Sequence, residues 1–331
     1  MKQLGLNGSS LKNKGSAVRF CLWPQMKIEI VIPVLNEEEN IVLLYDKIVE
    51  AFKDISQHKF QINFINDNST DKTWEIIRKL NDKDKNVKGI KLSRNFGHQA
   101  AIDAGISIFN SDALILMDGD LQDDPKYISN FVNEWEKGSK VVLAKRKTRK
   151  ENIFRKIVFK VFFKMQKKVS DIDIPENVGH FSLLDQEVVE LLKKFPERVK
   201  YFNGLRSYLG FSTSYVEVVK NKREHGKTKM SFFKLFKLGL NGIFGFSTIP
   251  LTAIGVVGFL IAMFSFVVSV YSLYVKYTTG DSILGWDFGL SSVYFLAGIQ
   301  LLALSILGKY IGIVFIETKS RPMYFIEEKI E

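Results

Sequence analysis

Asp118, Gly119 and Asp120 place two carboxylates one residue apart, with Gln122, Asp123 and Asp124 close behind, in the stretch LILMDGDLQDDPKY from 114 to 127. Leu114 to Met117 read as a buried strand bounded by Gly119 and Pro125, so the acids fall at its carboxyl end. Open α/β sheets bind ligands at that end of their strands. Alternate residues of an extended segment point the same way, and a turn at Gly119 would let both carboxylates converge. Two carboxylates with water in the remaining positions suit Mg2+ or Mn2+, hard ions that bridge protein acids to diphosphates. Such an ion neutralises charge building on a departing diphosphate. An isolated D-x-D is weak ground, because most such pairs are solvated loop acids.

The neighbouring pattern strengthens it. Short β-rich runs at 28–34 (IEIVIPV), 60–66 (FQINFIN), 89–93 (GIKLS), 113–118 (ALILMD) and 140–145 (KVVLAK) alternate with helical stretches. These helices open at Asn36 with acids 37–39, near Ser69 and Asp71, around Gln99 to Ile108, and near Pro125. Strand, helix, strand, helix implies an α/β fold: a mainly parallel sheet with right-handed crossovers and helices on both faces. Parallel strands bring their carboxyl ends to one edge, so Glu37, Asp67, Asp118 and Asp120 are expected along one crevice. Glu38 and Glu39 fit better as acids complementing a helix dipole. The region 171–230 is less regular.

The last third of the 331-residue chain is of another kind. No charged residue separates Lys237 from Lys276, or Asp287 from Lys309. Each run exceeds the roughly 20 residues needed to cross a bilayer core, which favours two membrane spans over a buried soluble hairpin. The expected spans are 249–275 and 288–316, joined by an external loop at 276–287 and followed by a cytoplasmic tail at 317–331. The connecting loop carries little positive charge whereas both flanks are basic, so both ends and the domain at 26–230 are expected on the cytoplasmic side of the cell membrane. Tyr271, Tyr274 and Trp286 sit near the far interface as aromatic anchors.

The net charge of +11 is concentrated in the same context. Lys156, Lys160, Lys164 and Lys168 recur every four residues beside Ile153, Ile157, Val161 and Met165, which makes 151–169 a basic amphipathic helix suited to an anionic membrane surface. A solvated face of a soluble helix is the plainer reading. Nucleic-acid binding is disfavoured, since the lysines share a helix with a broad apolar face rather than flanking exposed stacking aromatics. Residues 231–248 contain no acid and read as a second interfacial helix. The single Cys21 excludes an internal disulfide framework. The four histidines lack metal-ligand spacing, which argues against a histidine zinc site. Residues 1–25 lack a signal-peptide core and read as a disordered extension, with Met26, just before the first strand, expected as the natural start.

The stretches VIPVLNEEENI, INDNSTDKT, KLSRNFGHQAAIDAG, MDGDLQDDP and KREHGKTKMSFFKLFKLGLNGIFGFSTIPL, in this order, resemble the signatures of family-2 inverting glycosyltransferases of the GT-A (Rossmann-like) fold. The subgroup most similar is the membrane-anchored polyprenyl-phosphate sugar transferases, akin to dolichol-phosphate mannose synthase and bactoprenol glucosyltransferases. The resemblance implies that Pro33, Glu37, Asp67 and Asp118 contact a nucleotide-sugar, and that Asp118, Asp120 and Gln122 surround Mg2+ or Mn2+. It further implies that Arg146 and Arg149 hold an acceptor phosphate, and that Arg223 and Lys229 lie near the donor diphosphate or the acceptor. Arg149 reads equally well as a membrane-surface contact.

The implied reaction is a single displacement at the anomeric carbon, driven mainly by positioning and electrostatic stabilisation. A polyprenyl-phosphate acceptor is already anionic and needs no strong base; a hydroxyl of a lipid-linked sugar would need one. Besides Asp120, the catalytic candidates are Asp123 and Asp124, though either serves equally as a cap for the helix opening at Pro125. Three departures from the pattern stand out: Asn66 and Asn68 in NDNS for the usual DDGS, His180 and Ser182 in GHFSL for the usual GDFRL, and Lys200 and Asn203 where arginine is common. His180 is a candidate base or acceptor contact, with a structural role the plainer reading. The Q-x-x-R-W sequence of processive synthases is missing, which favours single-sugar transfer. A catalytically silent sugar-nucleotide-binding partner is the competing class, and intact Asp118, Asp120 and Gln122 argue against it. Packing of membrane hairpins makes a homo-oligomer plausible by resemblance.

Overall fold

Strand β1 (Lys27–Val34) buries every residue but its first, as a strand covered on both faces of a parallel sheet must. Ile28, Ile30, Ile32 and Val34 join one hydrophobic cluster and Val31 the other, because successive side chains point to opposite faces. The structure, a computed structural model, describes residues 25–147, 175, 177–197, 200–219, 249–279 and 286–331. The expected amphipathic helix at 151–169 and interfacial helix at 231–248 lie outside the described residues, as do residues 1–24.

The chain alternates as its pattern requires. After β1 come α1 (Ile41–Lys53), β2 (Lys59–Asn66), α2 (Thr73–Lys83), β3 (Val87–Leu92), α3 (His98–Ile108), β4 (Ala113–Leu116), a 3-10 turn at Pro125–Tyr127, α4 (Ile128–Glu136) and β5 (Val141–Arg146). Then follow β6 (Val178–Asp185), α5 (Gln186–Lys193), α6 (Phe202–Tyr208), β7 (Thr213–Val218), two long helices α7 (Ile249–Thr279) and α8 (Trp286–Lys319), and β8 (Ile326–Ile330). The sheet order is β7-β5-β6-β4-β1-β2-β3-β8. β1 is parallel to β2 and β4, and β2 to β3, so four strand ends share one edge. β6 runs antiparallel to both β4 and β5, which brings its first residues to that same edge. The two clusters are completed by α1, α2 and α4 on one face and by α3, α5 and α6 on the other.

The irregular-looking region 171–230 thus contributes two strands and two helices among the described residues. The expected tail at 317–331 holds a strand instead of a plain extension: β8 pairs antiparallel with β3. Its acids meet the cations of the neighbouring elements, with Arg78 Nη2 2.5 and 2.6 Å from the two Glu328 oxygens and Lys91 Nζ 3.1 Å from Glu327. Charged side chains on an edge strand discourage further pairing.

Helices α7 and α8 contain segments, Pro250–Thr278 and Ser292–Lys319, long and apolar enough to cross a membrane. The 31 residues of α7 span about 46 Å at 1.5 Å per residue, more than the roughly 30 Å of hydrocarbon. Phe264 and Phe266 are 71% and 70% exposed in the isolated chain, a cost in water that lipid contact removes.

Candidate functional site

Backbone register assembles the site. β4 and β6 pair with Leu116 opposite Ser182 and Ile115 opposite Leu183. Continuing that register by two residues sets His180 across from Asp118. From the other side, Asp67, just past β2, accepts the Phe96 and Gly97 N–H groups at 2.7 and 2.9 Å, fixing the loop that ends at Gly97, with φ of 96°, and delivers His98 as the first residue of α3. One ligand atom from each of His98, Asp118 and His180 lies within 4.8 Å of the other two. His98 Nε2 is 3.4 Å from Asp118 Oδ1, and the two imidazoles are 5.0 Å apart between centroids.

Asp118 Oδ1 is buried and receives no hydrogen bond among the described residues. Burial pushes the His180 imidazole down from 6.5 to about 4; Asp118 opposes this, while His98, Arg206 and Arg146 reinforce it. The Asp67 carboxyl is raised by its burial, partly offset by its two backbone donors. An orphaned carboxylate oxygen fits a divalent cation, and metal coordination would satisfy it.

The D-G-D turn is tightly made. A Cβ on Gly119 would stand 2.8 Å from Val34 Cγ1, so only glycine lets the turn press against the end of β1. Leu121 adopts φ of 58°, a left-handed conformation costly for a non-glycine residue and recurrent at functional turns. Asp120 Oδ1 accepts the Gln122 N–H at 3.1 Å, which curls the loop just after the D-G-D turn. Asp123 is buried. Asp124 takes the capping role: it accepts the Lys126 N–H at 3.2 Å and pairs with Lys126 Nζ at 2.9 Å.

Pro33 lies in β1 beyond Val31, the last residue paired with β4, so its missing N–H costs that ladder nothing. Glu37 follows β1 and accepts from Asn40 Nδ2 at 2.6 Å, while its own N–H donates to Thr73 Oγ1. Glu38 accepts the Lys72 N–H at the start of α2, so it serves that helix and not α1, which begins at Ile41 with no acid in its first turn. Arg146 ends β5, and a Cβ on Gly179 would meet its Nη2 at 2.7 Å, so glycine admits the guanidinium beside His180. Arg149, Arg223 and Lys229 lie outside the described residues.

The departures have local explanations. Asn66 Oδ1 accepts the Ser69 N–H and hydroxyl at 2.9 and 2.6 Å, the work a carboxylate would otherwise do. Asn68 has φ of 58°, where asparagine substitutes for glycine at small cost. Lys200 pairs with Asp103 at 2.5 Å. His98, Gln99 and Arg206 are the neighbours that sequence reasoning left without a role. His98 and Gln99 stood inside NFGHQ, but spacing argued against histidine ligation because positions 118 and 180 meet through sheet register and position 98 joins them through the loop held by Asp67.

The chain has relatives among known proteins. Residues 29–192 match the family described as Glycosyl transferase family 2. A bactoprenol glucosyl transferase of Shigella phage SfX is 39% identical over 305 residues, 92% of this chain and 100% of its own length. The chain belongs to glycosyl transferase family 2. It is likewise 39% identical over 303 residues to a prophage bactoprenol glucosyl transferase homolog of Escherichia coli K12, covering 91% of this chain and 99% of that one. Among solved structures, the mannosyltransferase PcManGT from Pyrobaculum calidifontis, in complex with GDP-Man and Mn2+, aligns at a TM-score of 0.48 and 13% identity, over 89% of this chain and 87% of that one. This family-2 chain is therefore a glycosyltransferase, and its candidate site is the carboxyl edge of its mainly parallel sheet.

Proposed function

We propose that this glycosyltransferase moves one sugar from a nucleotide-sugar to a polyprenyl phosphate at the cytoplasmic face of the membrane, inverting the anomeric carbon. The observation that carries the reading is likeness to the SfX bactoprenol glucosyl transferase over nearly the whole chain: an alignment over 92% of this chain and 100% of the relative takes in the acid edge and reaches both bilayer-length helices. A sugar donor site and a lipid-facing hairpin in one chain suit a water-soluble donor and a membrane-held acceptor. Pairing of β8 with β3 supports a two-span hairpin, since the segment after α8 rejoins the sheet that precedes α7.

In this reading Pro33, Glu37, Asp67 and Asp118 line the donor pocket, with Asp67 acting largely through the loop it holds. Asp118, Asp120 and Gln122 would hold Mg2+ or Mn2+, which when bound supplies charge neutralisation to the departing diphosphate. Arg146, and with it Arg149, Arg223 and Lys229, supplies cations for phosphate; the guanidinium fork binds two oxygens at once. A phosphate acceptor carries its own negative oxygen, so no strong base is required. That suits a site where Asp124 already caps a turn and burial keeps His180 neutral.

The test is transfer of radiolabelled sugar from UDP-, GDP-, CDP- and dTDP-sugars to undecaprenyl phosphate by the purified full chain in detergent, with and without Mg2+ or Mn2+. A metal-dependent, mild-acid-labile lipid product is expected, reduced at least about 100-fold by Asp120→Asn. Donor hydrolysis without that product would move the acceptor to a lipid-linked sugar hydroxyl, with Asp123 or His180 then tested as base. Folded protein that engages none of the donors would overturn the reading in favour of a silent partner.

A further inference from the structure

We propose that His98, Asp118 and His180 form a binding site for a divalent transition-metal ion such as Zn2+, with a donor set separate in kind from the all-oxygen Asp118, Asp120 and Gln122 arrangement. Two imidazoles and one carboxylate suit Zn2+ and its first-row neighbours, whereas Mg2+ favours oxygen throughout. Around a tetrahedral ion with bonds of about 2.0–2.1 Å, ligand atoms stand roughly 3.3–3.4 Å apart. The His98 Nε2 to Asp118 Oδ1 separation is already 3.4 Å. All three groups offer atoms within 4.8 Å of one another, and His98, with its side chain 43% exposed, can rotate to close the remaining gap.

Three further observations bear on the site. Asp118 Oδ1 is buried without a hydrogen-bond donor among the described residues, and such an atom is costly unless something satisfies it. Phe202 N–H donates to Gln99 Oε1 at 3.3 Å, which orients that amide so that Gln99 Nε2 faces His180 Nε2 at 3.1 Å. An NH2 group facing a ring nitrogen requires that nitrogen to be an acceptor. His180 therefore holds a lone pair on Nε2 that the Gln99 amide occupies in the metal-free protein, so a metal at His180 has to displace that donor. Finally, the ligands come from three separately anchored elements: the Asp67-pinned loop leading into α3, the end of β4 and the start of β6. Because Asp118 belongs to both donor sets, a transition-metal ion in the histidine set competes with Mg2+ for one carboxylate.

The experiment reads binding alone, so its failure is distinguishable from failure of the transfer reading. Tag-free full-length protein in detergent is stripped with chelator, then titrated with Co2+ by visible absorption and with Zn2+ by calorimetry. The expected result is one equivalent of Co2+ giving d–d bands that Zn2+ removes and a large excess of Mg2+ does not. Loss of an orienting partner typically weakens metal sites about 10–100-fold, so losing a direct ligand through His98→Gln or His180→Gln should cost at least that much. Asp120→Asn should leave Zn2+ affinity unchanged. Wild-type affinity in the His98→Gln protein, where the altered side chain is exposed and folding is checked by thermal melting, would overturn the proposal. So would absence of Zn2+ binding in the wild type, or a loss in Asp120→Asn equal to that in the histidine variants, which would put the ion among the oxygens.

Discussion

Arg206 Nη1 donates to Ser182 Oγ at 3.1 Å, and Ser182 in turn donates to the His180 carbonyl at 2.8 Å. The family resemblance leads one to expect arginine at position 182; here the guanidinium arrives from α6 and occupies the space behind the β6 serine. Arg206 is 3% exposed. Burial lowers it to about 10, so it remains a cation at neutral pH. The departure at Ser182 therefore moves a positive charge within the site. Arg206→Met, which keeps the bulk and removes the donors, should change stability by no more than about 1 kcal/mol, since Ser182 Oγ still donates to the His180 carbonyl and a buried guanidinium nitrogen without a partner is removed with the side chain. It should also raise the His180 pKa, since one repelling cation is gone. A nearly unchanged melting temperature together with an upward-shifted His180 resonance titration checks both; an unmoved titration would mean that the charge does not act on the ring.

His180 makes stability depend on pH in the metal-free protein. Its folded pKa is about 4, depressed from 6.5 by burial, so below about 6.5 an unfolded chain binds a proton that the folded chain refuses. Stability contributed by the neutral ring is full above 6.5 and is lost progressively as pH falls towards 4. Between about pH 7 and about pH 5 the loss should be on the order of 2 kcal/mol. His180→Gln should flatten the difference in melting temperature between these two pH values; an unchanged slope would assign it to other groups.

The parallel sheet was legible because buried strands leave continuous apolar runs, and β1 to β5 stand within two residues of their expected bounds. The acid edge was legible for the same reason: strand ends in a parallel sheet share a side. β6 was hidden because its apolar run FSLL is short and polar residues precede it, and its antiparallel register carries no local signal. The grouping of His180 with His98 and Asp118 depends on that register, so position in the chain gave no hint of it. β8 was hidden because IEEKI is acid-rich, and its partner cations Arg78 and Lys91 lie more than 230 residues away in sequence.

Gly119→Ala tests how closely the D-G-D turn depends on β1. The new Cβ would stand 2.8 Å from Val34 Cγ1 and 3.4 Å from the Pro33 carbonyl. Strand backbone and a buried valine cannot both retreat without cost, so about 1–3 kcal/mol of overpacking is expected. The turn is the softer side and should move, carrying Asp118 and Asp120 outward. Transfer should then fall more than stability does, with a higher requirement for Mg2+ or Mn2+. Equal activity at unchanged metal concentration would show that the turn tolerates displacement.

The C-terminal strand is expected to brace the loop that leads to His98. Phe325 O accepts the Ser93 N–H at 2.9 Å, and the Phe325 ring lies 6.3 Å from that of Phe96. Phe96 and Gly97 donate the two N–H groups held by Asp67. The loop is thus clamped on one side by the segment following α8 and on the other by β2. Deleting residues 325–331 should speed amide hydrogen exchange across 93–98 while leaving β1 and β2 protected. Asp67→Asn, whose side chain keeps one acceptor oxygen where two were used, should speed exchange at Phe96 and Gly97 alone. If the deletion leaves exchange at 93–98 unchanged, Asp67 by itself sets the loop; if it matches the effect of Asp67→Asn, the position of His98 depends on how the chain returns from its second apolar helix.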